Sequence, residues 1–524
     1  MSRPNILFIM CDQLRWDYLS CSGHPTLRTP NIDALAARGV RFDRAYVQSP
    51  ICGPSRMCTY TGRYVSSHGA SWNGVPLSPG EWTIGDHLGA LYRVAVVGKT
   101  HLRRDPEALR HLGIDPGSAR GQQMMTGGFE PFDRDDGIHT DQLVARRGEP
   151  RYNGWLRSLG YDVANPWQDY ANSVETPDGT VISGWEMKSA PYPARLPAEH
   201  SETAYATDRA IAFIDEAGAQ PWLLHLSYIK PHWPYVAAAP YHAMYGPGDL
   251  LPANRDEAER RDPHPVYRAF QQLSQSTSFA RDKVREAVIP AYMGLVRQID
   301  DEIGRLMAHL DAGGTADNTV IVFTSDHGDY LGDHWLGDKE LFHDASSRVP
   351  LIIADPRPAA NSTRGAVVRD LVEAIDLLPS FRALAGLPVD RQRLEGHSLL
   401  GYLHGTQDAP LRDAVLSELD YAYSPARLAL GLGPNDARGL MLRTDRWKLV
   451  CWPGFRPQLF DLTRDPQERV DLGADADHQP TCAALQARLI DKLARRRYRT
   501  TEADAGVEAR TANEHDLGVR IGEW

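Results

Sequence analysis

Residues 52–63 read Cys-Gly-Pro-Ser-Arg-Met-Cys-Thr-Tyr-Thr-Gly-Arg. A lone buried cysteine is usually a small apolar side chain that serves packing, and we interpret the other five cysteines of the chain in that way. Packing does not explain a cysteine followed at fixed offsets by proline, serine and arginine, and then by Thr-Gly-Arg. The stretch therefore marks Cys52 as a candidate for chemistry, and that chemistry requires partner side chains from elsewhere in the chain.

Composition places the chain among ordinary globular proteins. Its 524 residues are 42% hydrophobic and 24% charged, which predicts two to four domains, or one large α/β domain with an appendage. The net charge of −11 argues against a nucleic-acid partner, which requires a basic surface.

Localisation is predicted from the apolar runs and the cysteines. The run Ile6–Met10 is too short to span a bilayer and lacks the flanking features of a signal peptide, so we expect no membrane partner. The six cysteines include no C-x-x-C pair and no zinc-type spacing. The simplest expectation is a reduced, cytoplasmic protein.

Strand-like and helix-like segments alternate over most of the chain. Near-continuous apolar runs, typical of parallel strands covered on both faces, occur at Ile6–Met10, Val94–Val97, Trp222–Tyr228 and Val320–Ser325. Amphipathic helices are predicted at Pro30–Arg38, Glu202–Ala217 and Tyr292–Leu310. The alternation predicts a doubly wound α/β sheet sandwiched by helices.

The pattern changes twice along the chain. Residues 117–198 are rich in Gly, Pro, Asp and Trp, and we expect an irregular segment that walls the mouth of a site. After residue 408, short strands at 414–419, 440–444, 447–452 and 458–461 precede a helix at 482–496, which predicts a smaller domain with an antiparallel sheet. We therefore expect a catalytic α/β domain over 1–408, a small α+β domain over 409–499 and a polar tail over 500–524.

Two predicted strands end in side chains that could bind a metal. Asp12 and Gln13 follow the first strand, and Asp326 and His327 follow the strand that ends at Ser325. Because ligands of open α/β sheets bind at the carboxyl ends of the strands, these side chains are expected to meet. The sequence thus predicts a mixed oxygen and nitrogen metal site.

The stretch at 52–63 resembles the C-x-P-S-R and T-G-R signature of the type I sulfatases, a family of the alkaline phosphatase superfamily. The resemblance implies an alkaline-phosphatase-like fold and one divalent metal ion. It also implies that a formylglycine-generating enzyme oxidises Cys52 to formylglycine, so that Cys52 belongs to both the catalytic and the metal-binding residues. One hydroxyl of the hydrated aldehyde would attack the ester, and the other would allow collapse that expels the inorganic anion.

The metal pairs depart from the sulfatase pattern, in which they are often Asp-Asp and Asp-Asn. Gln13 and His327 look more like the phosphonate monoester hydrolases and the choline-sulfatase-type members. An all-oxygen set suits Ca²⁺ or Mg²⁺, whereas an imidazole favours a transition metal. Ca²⁺ and Mn²⁺ both stay open.

Further positions match elements of the family. Lys99 and His101 resemble the G-K-x-H element of the family. His232 lies in a stretch that resembles the family's loop near the leaving group. Lys339 matches the lysine that follows the family's D-H-G motif. The resemblance implies that Arg56, Lys99 and Lys339 neutralise charge on the anion. It also implies that His232 or Lys339 is the acid toward the leaving group and that His101 is the base in the collapse. Asn73 matches an asparagine of the phosphonate hydrolases, so substrate contacts are expected from Asn73, Lys99, His232 and Lys339.

The matched residues leave three functions open. The first is hydrolysis of small anionic sulfate monoesters of the arylsulfatase type, with promiscuity toward phosphonate monoesters and phosphodiesters. The second is phosphonate monoester or phosphodiester hydrolysis as the main activity, which Gln13, His327 and Asn73 favour and Lys99 and His101 oppose. The third is a non-catalytic metal-binding protein of the same fold.

The tail over residues 500–524 ends in Trp524, a side chain for which a solvated tail has little use. Related hydrolases are commonly oligomers in which C-terminal segments cross between subunits. We therefore expect a homodimer or homotetramer with the tail docked on a partner.

Overall fold

A computed structural model describes residues 3–497, 499–511, 517–518 and 520. Within these residues, no helix combines the length and apolar character needed to cross a membrane. Trp524, which we expect to dock on a partner subunit, lies outside the described residues.

The strands form one large mixed sheet, one small antiparallel sheet and one two-stranded hairpin. They are β1 (Asn5–Asp12), β2 (Val40–Tyr46), β3 (Arg93–Gly98), β4 (Glu130–Arg134), β5 (Ser173–Glu175), β6 (Val181–Ser183), β7 (Trp222–Pro231), β8 (Thr319–Ser325), β9 (Arg348–Val349), β10 (Leu351–Ala354), β11 (Val367–Glu373), β12 (Ala414–Asp420), β13 (Arg438–Thr444), β14 (Trp447–Cys451) and β15 (Gln458–Asp461).

The α-helices cover both faces of the large sheet and one face of the small one. They are α1 (Pro30–Arg38), α2 (Cys52–Thr61), α3 (Val65–His68), α4 (Ile84–Leu88), α5 (Pro106–His111), α6 (Ala119–Met125), α7 (Asp141–Arg147), α8 (Arg151–Ser158), α9 (Glu202–Ala217), α10 (Pro265–Gln271), α11 (Ser274–Phe279), α12 (Asp282–Ala312), α13 (Asp344–Ser347), α14 (Leu377–Leu384), α15 (Leu400–Leu403), α16 (Pro425–Ala429), α17 (Gln479–Ala494) and α18 (Asp504–Arg510).

Strand β1 lies at the centre of the fold and is buried along its whole length. Alternate residues of β1, such as Leu7 and Ile9, pack against α1, α9 and α12. The intervening residues, such as Phe8, pack against α2, α4 and α14. Because side chains alternate across a strand, an apolar run covered on both faces produces these two layers of core, and the helix–sheet–helix sandwich predicted above is confirmed.

Four adjacent parallel strands position the candidate site. The large sheet runs β11-β2-β10-β8-β1-β7-β3-β4, and β1 pairs in parallel with both β7 and β8, while β3 pairs in parallel with β7. The carboxyl ends of β8, β1, β7 and β3 therefore lie side by side. Candidate site residues predicted from the sequence lie at these strand ends, namely Asp12, Gln13, Lys99, His101, His232, Asp326 and His327.

The structure differs from the sequence expectation in three places. The sheet is mixed, because β10 runs antiparallel to both β2 and β8. The helix expected to begin at Tyr292 begins at Asp282 and continues through Pro290. The segment at 117–198 is not irregular throughout: it contains α6 to α8, β4 at the edge of the large sheet, and the β5–β6 hairpin. Serine and threonine caps at Ser118 and Thr140 start two of these helices.

The small sheet, in the order β12-β13-β14-β15, packs between α17 and an apolar cluster that includes Phe342. Leu449 of β14 faces Leu485 and Leu489 of α17. On the opposite face, Val450 belongs to a cluster that includes Phe342 from the loop behind the site. The antiparallel C-terminal sheet predicted from the sequence is confirmed.

A buried ammonium group joins the small sheet to the segment that precedes β9. Lys448 in β14 donates to the carbonyl of Phe342 (3.0 Å) and to Asp344 Oδ1 (2.7 Å), and it also contacts Glu468. We expect Lys448→Met to lower the free energy of unfolding by about 3–5 kcal/mol, because it leaves buried carboxylates unpaired. Chemical denaturation measures this change.

The matched control for Lys448 is Lys188→Met, which removes an ion pair whose lysine side chain is 66% exposed. Exposed pairs contribute about 0–1 kcal/mol, so this variant should unfold like the wild type. Equal destabilisation by the two variants would contradict the role given to Lys448.

Candidate active site

Cys52 is the first residue of helix α2 and is almost fully buried. Ile51 precedes it in extended conformation, and the helix ends at Gly62, whose left-handed φ of 64° suits a glycine. The backbone N–H of Gly53 donates to Asn73 Oδ1 at 2.7 Å. The signature thus forms a buried helix start that places the Cys52 thiol at the carboxyl edge of the sheet.

Strand-end side chains surround the thiol. Cys52 Sγ lies 3.0 Å from His327 Nε2, 3.3 Å from Lys339 Nζ and 3.7 Å from Asp12 Oδ1. Burial disfavours the thiolate, but Lys339, Lys99 and His327 together hold the pKa of the Cys52 thiol well below its usual range. The neighbouring cations therefore favour a negative charge on residue 52.

Four of the five side chains predicted as metal ligands lie together. One ligand atom each from Asp12, Cys52, Asp326 and His327 lies within 4.8 Å of the others, and all four residues are buried. Gln13, the fifth, has a φ of 67°, and its Oε1 accepts a hydrogen bond from Lys339 Nζ at 3.0 Å.

The imidazole of His327 presents Nε2 to the cluster. Its Nδ1 donates to the carbonyl of Gly328 at 2.9 Å, which fixes that orientation. Burial opposes the imidazolium, but Asp326 and Cys52 raise the pKa of His327 to about 9, so without a metal ion Nε2 carries a proton that a bound ion would replace. Two buried carboxylates and an inward imidazole nitrogen form a donor set that fits a divalent ion.

Arg56 holds the two carboxylates from behind. Its Nε donates to Asp326 Oδ2 at 2.7 Å and one Nη donates to Asp12 Oδ2 at 3.4 Å. The other Nη donates to the carbonyl of Lys99 (2.8 Å) and to Ser227 Oγ (2.7 Å). All three guanidinium nitrogens of Arg56 thus donate to protein atoms, and two of them hold the carboxylates of Asp12 and Asp326 in place.

Lys99 and His101 follow β3. The ammonium of Lys99 contacts Asp12 Oδ2, and His101 lies within hydrogen-bonding reach of Cys52. The loop is held by Asp136, whose Oδ1 accepts from the backbone N–H groups of Thr100 (2.8 Å) and His101 (2.9 Å). Asp136 therefore positions both candidate side chains at the site.

His232 and Lys339 form a hydrogen-bonded pair beside the thiol. Lys339 Nζ lies 3.0 Å from His232 Nε2, and His232 Nδ1 donates to the carbonyl of Trp233 at 2.6 Å. Burial lowers the pKa of His232, and so does the charge of Lys339. Burial works against charge on Lys339 as well, but Asp338 and Cys52 raise the pKa of Lys339. The proton of the pair thus resides on Lys339.

Sequence reasoning missed the residues that hold these side chains in place. Asp329 Oδ2 accepts from Gln13 Nε2 (2.6 Å) and from the Tyr235 hydroxyl (2.6 Å). Asp136 and Ser227, described above, also went unassigned. Asp329 lies three residues beyond Asp326, so its position after the strand was a usable signal, whereas nothing local distinguishes Asp136, Ser227 or Tyr235.

The chain matches two family models over most of its length. A family model described as Sulfatase matches residues 4–387, and one described as N-sulphoglucosamine sulphohydrolase, C-terminal, matches residues 332–495. The multifunctional alkaline phosphatase superfamily protein PehA of Trinickia caryophylli is 31% identical over 509 residues, covering 93% of each chain. An arylsulfatase of Clostridium perfringens is 26% identical over 507 residues, covering 94% of each.

A solved structure shares the whole architecture. The phosphonate monoester hydrolase of Agrobacterium radiobacter superposes with a TM-score of 0.82 at 29% identity, over 94% of this chain and 96% of that one. The Sulfatase model spans the large sheet and the strand-end residues around Cys52. The chain therefore belongs to the sulfatase family of the alkaline phosphatase superfamily.

Proposed function

We propose that the protein hydrolyses sulfate monoesters, with residue 52 converted to formylglycine and one divalent metal ion bound beside it. The observation that carries this proposal is the pair of buried ammonium groups, Lys99 and Lys339, that flank a thiol at a helix N-terminus beside two buried carboxylates. Such a site stabilises negative charge that develops on a tetrahedral anion. A protein that only binds metal would have no use for these lysines.

Asp12, Gln13, Asp326, His327 and residue 52 would hold the metal ion. When bound, the ion would supply Lewis-acid stabilisation of charge on the ester oxygens. The nitrogen of His327 favours Mn²⁺ and the oxygens favour Ca²⁺. Metal content of the purified enzyme decides between these two ions.

The other residues take distinct roles in the proposal. Formylglycine at position 52 would supply the nucleophilic hydroxyl. Lys99 clamps an oxygen of the ester, and Lys339, which carries the proton of its pair, protonates the leaving group while His232 orients the ammonium. His101, next to residue 52, is the candidate base, and Arg56 keeps Asp12 and Asp326 in place.

Asn73 is proposed to contact the substrate from the rim. Its Oδ1 is used by the N–H of Gly53, so the side chain amide nitrogen is the group that could donate to an ester oxygen. The same hydrogen bond fixes Asn73 against the start of helix α2. We therefore expect Asn73 to influence both the orientation of residue 52 and substrate binding.

Phosphonate monoester or phosphodiester hydrolysis is the second candidate. It is supported by the likeness to the Agrobacterium radiobacter enzyme and to PehA. Sulfate monoesters, phosphonate monoesters and phosphodiesters each carry a single negative charge at neutral pH. A site that neutralises one charge on a tetrahedral centre can therefore accept all three, and promiscuity is expected.

The ratio of the two activities tests the substrate class. We expect kcat/KM for an aryl sulfate to exceed that for the matching aryl phosphonate monoester. Lys99→Ala should lower sulfate turnover more than phosphonate turnover, because the sulfate ester loses a charge contact that has no ready replacement. A ratio well below one in the wild type would make phosphonate hydrolysis the main activity, and equal losses would make Lys99 a general anion clamp.

Maturation, compartment and assembly complete the proposal. A formylglycine-generating enzyme would convert Cys52, and a reducing cytoplasm agrees with six cysteines that form no disulfide. We also propose a homodimer or homotetramer assembled partly through the tail.

Deleting residues 500–524 tests the assembly. We expect a smaller particle in size-exclusion chromatography or reduced activity, because the tail would no longer bury apolar surface on a partner subunit. A truncated protein with unchanged size and unchanged kinetics would show that the tail has no part in assembly.

A further inference from the structure

A cleft of about 660 Å³ opens beside the candidate nucleophile. Asn73 and His101, both next to residue 52, line its inner end. Its outer wall comes from the loop after β4 and from the end of helix α7. Because Asn73 and His101 border both residue 52 and the cleft, part of an ester bound at residue 52 can extend into this cleft.

Arg103 lies at the rim of the cleft, close to the start of helix α2. Its backbone carbonyl accepts from the N–H of Leu77 at 2.8 Å, which fixes the loop after β3 against residues 73–77. Its guanidinium lies over Gly74, where an added Cβ would be 3.6 Å from Nη1. Gly74 follows Asn73 directly, so the charge of Arg103 is presented next to the residue that caps the Cys52 helix.

Arg147, the last residue of helix α7, also lines the cleft. Like Arg103 it is exposed. Neither guanidinium has a hydrogen-bond or ion-pair partner among the residues that the structure describes.

The acidic side chains of the cleft are already paired. Asp135 accepts from His139 Nε2 at 2.7 Å, and Asp136 accepts from Arg134 at 2.6 Å as well as from two backbone N–H groups. Glu149 is bound by Arg157. Neither Arg103 nor Arg147 therefore shares its charge with a carboxylate of the cleft.

We propose that Arg103 and Arg147 form a second anion-binding subsite, which selects sulfate esters whose leaving group carries another anionic group such as a carboxylate or a second sulfate. This inference rests on the proposed function and adds its substrate class. Planar guanidinium groups match carboxylate and sulfate oxygens with paired donors. Electrostatic attraction across a partly enclosed cleft would favour such substrates over neutral-tailed esters.

The test compares 3- and 4-(sulfooxy)benzoate with their methyl esters, using metal-loaded enzyme that carries formylglycine. The measured quantity is kcat/KM for the carboxylate divided by kcat/KM for its methyl ester. Dividing the wild-type ratio by the variant ratio cancels the difference in leaving-group reactivity. We expect Arg103→Gln or Arg147→Gln to lower the ratio by about threefold, and the double variant by about tenfold.

Arg146→Gln is the matched control, since Arg146 precedes Arg147 in helix α7, is exposed and does not line the cleft. Arg146→Gln should leave the ratio of carboxylate to methyl ester unchanged. Arg103→Lys, which keeps the positive charge, should retain most of the wild-type ratio. Added salt should lower the wild-type ratio and leave the double variant unaffected. A ratio unchanged in the double variant would overturn the subsite. It would fit a leaving group seated in the separate aromatic cavity of about 300 Å³ that Trp185 and Phe279 line.

A second measurement separates this inference from the proposed function. Calorimetric titration with 4-sulfobenzoate and methyl 4-sulfobenzoate requires no turnover. If the wild type hydrolyses neither ester, the proposed function is wrong, and the affinity ratio of these two sulfonates then decides the subsite. A fall of about tenfold in the double variant supports the subsite, and an unchanged ratio overturns it.

Discussion

Cys52→Ala is expected to lower kcat/KM for any ester substrate by on the order of 10⁴-fold or more, because removing a covalent nucleophile has effects of this size. The fold should survive, since the side chain is small. Peptide mass spectrometry of active wild-type enzyme should show an aldehyde in place of the thiol at residue 52. Cys52→Ala also removes one of the five proposed metal ligands, so the metal content of the variant is measured as well, and lost activity with retained metal shows that the loss comes from the nucleophile.

Cys58→Ala is the matched control on the same helix. Cys58 is fully buried, and its Sγ lies 3.2 Å from His68 Nε2. Burial raises the pKa of the Cys58 thiol well above its usual range, helped by Glu418 and Glu395, so it stays protonated and unreactive. This variant should keep its activity and lose about 1 kcal/mol of stability. Full activity in Cys52→Ala would rule out the proposed mechanism.

Asp326→Asn is expected to abolish stoichiometric metal binding and turnover together. The carboxylate belongs to the four-residue cluster and also receives the Nε of Arg56 at 2.7 Å. Replacing it removes an anionic ligand and leaves a buried guanidinium without its strongest partner. Metal content by mass spectrometry and thermal unfolding with and without added Mn²⁺ or Ca²⁺ measure both consequences.

Asp300→Asn provides a buried carboxylate away from the site. Asp300 accepts from the backbone N–H groups of Asn31 and Ile32 at the start of helix α1. This variant should lose stability but keep stoichiometric metal and turnover. Stoichiometric metal in a double Asp12→Ala and Asp326→Ala variant would show that the ion binds elsewhere.

Local sequence patterns predicted the central strands of the large sheet well. The apolar runs at Ile6–Met10 and Val320–Ser325 became β1 and β8 because both faces of each strand are covered. Partly exposed strands such as β2 and β4 were missed, since their mixed burial leaves no continuous apolar run. Helix α12 was predicted too short because Pro290 lies in its interior, where proline usually ends a helix.

The strand pattern also predicted where the candidate metal ligands lie. Asp12 and Asp326 directly follow or end buried parallel strands, so their place at the carboxyl edge of the sheet follows from the strand pattern alone. The signature at 52–63 likewise carries its information in local residue order. For these residues, the sequence by itself determined the chemical type and the side of the sheet.

Only the tertiary structure decided which of these side chains meet and what supports them. Lys339 reaches Cys52 across 287 residues of chain, and Gln13 is held by Asp329 and Tyr235. The unpaired charges of Arg103 and Arg147 are evident only once the neighbouring carboxylates are seen to be occupied. Distances between residues far apart in the chain depend on strand order and register, and the pairing of a charge depends on every group around it, so neither can be obtained from local sequence.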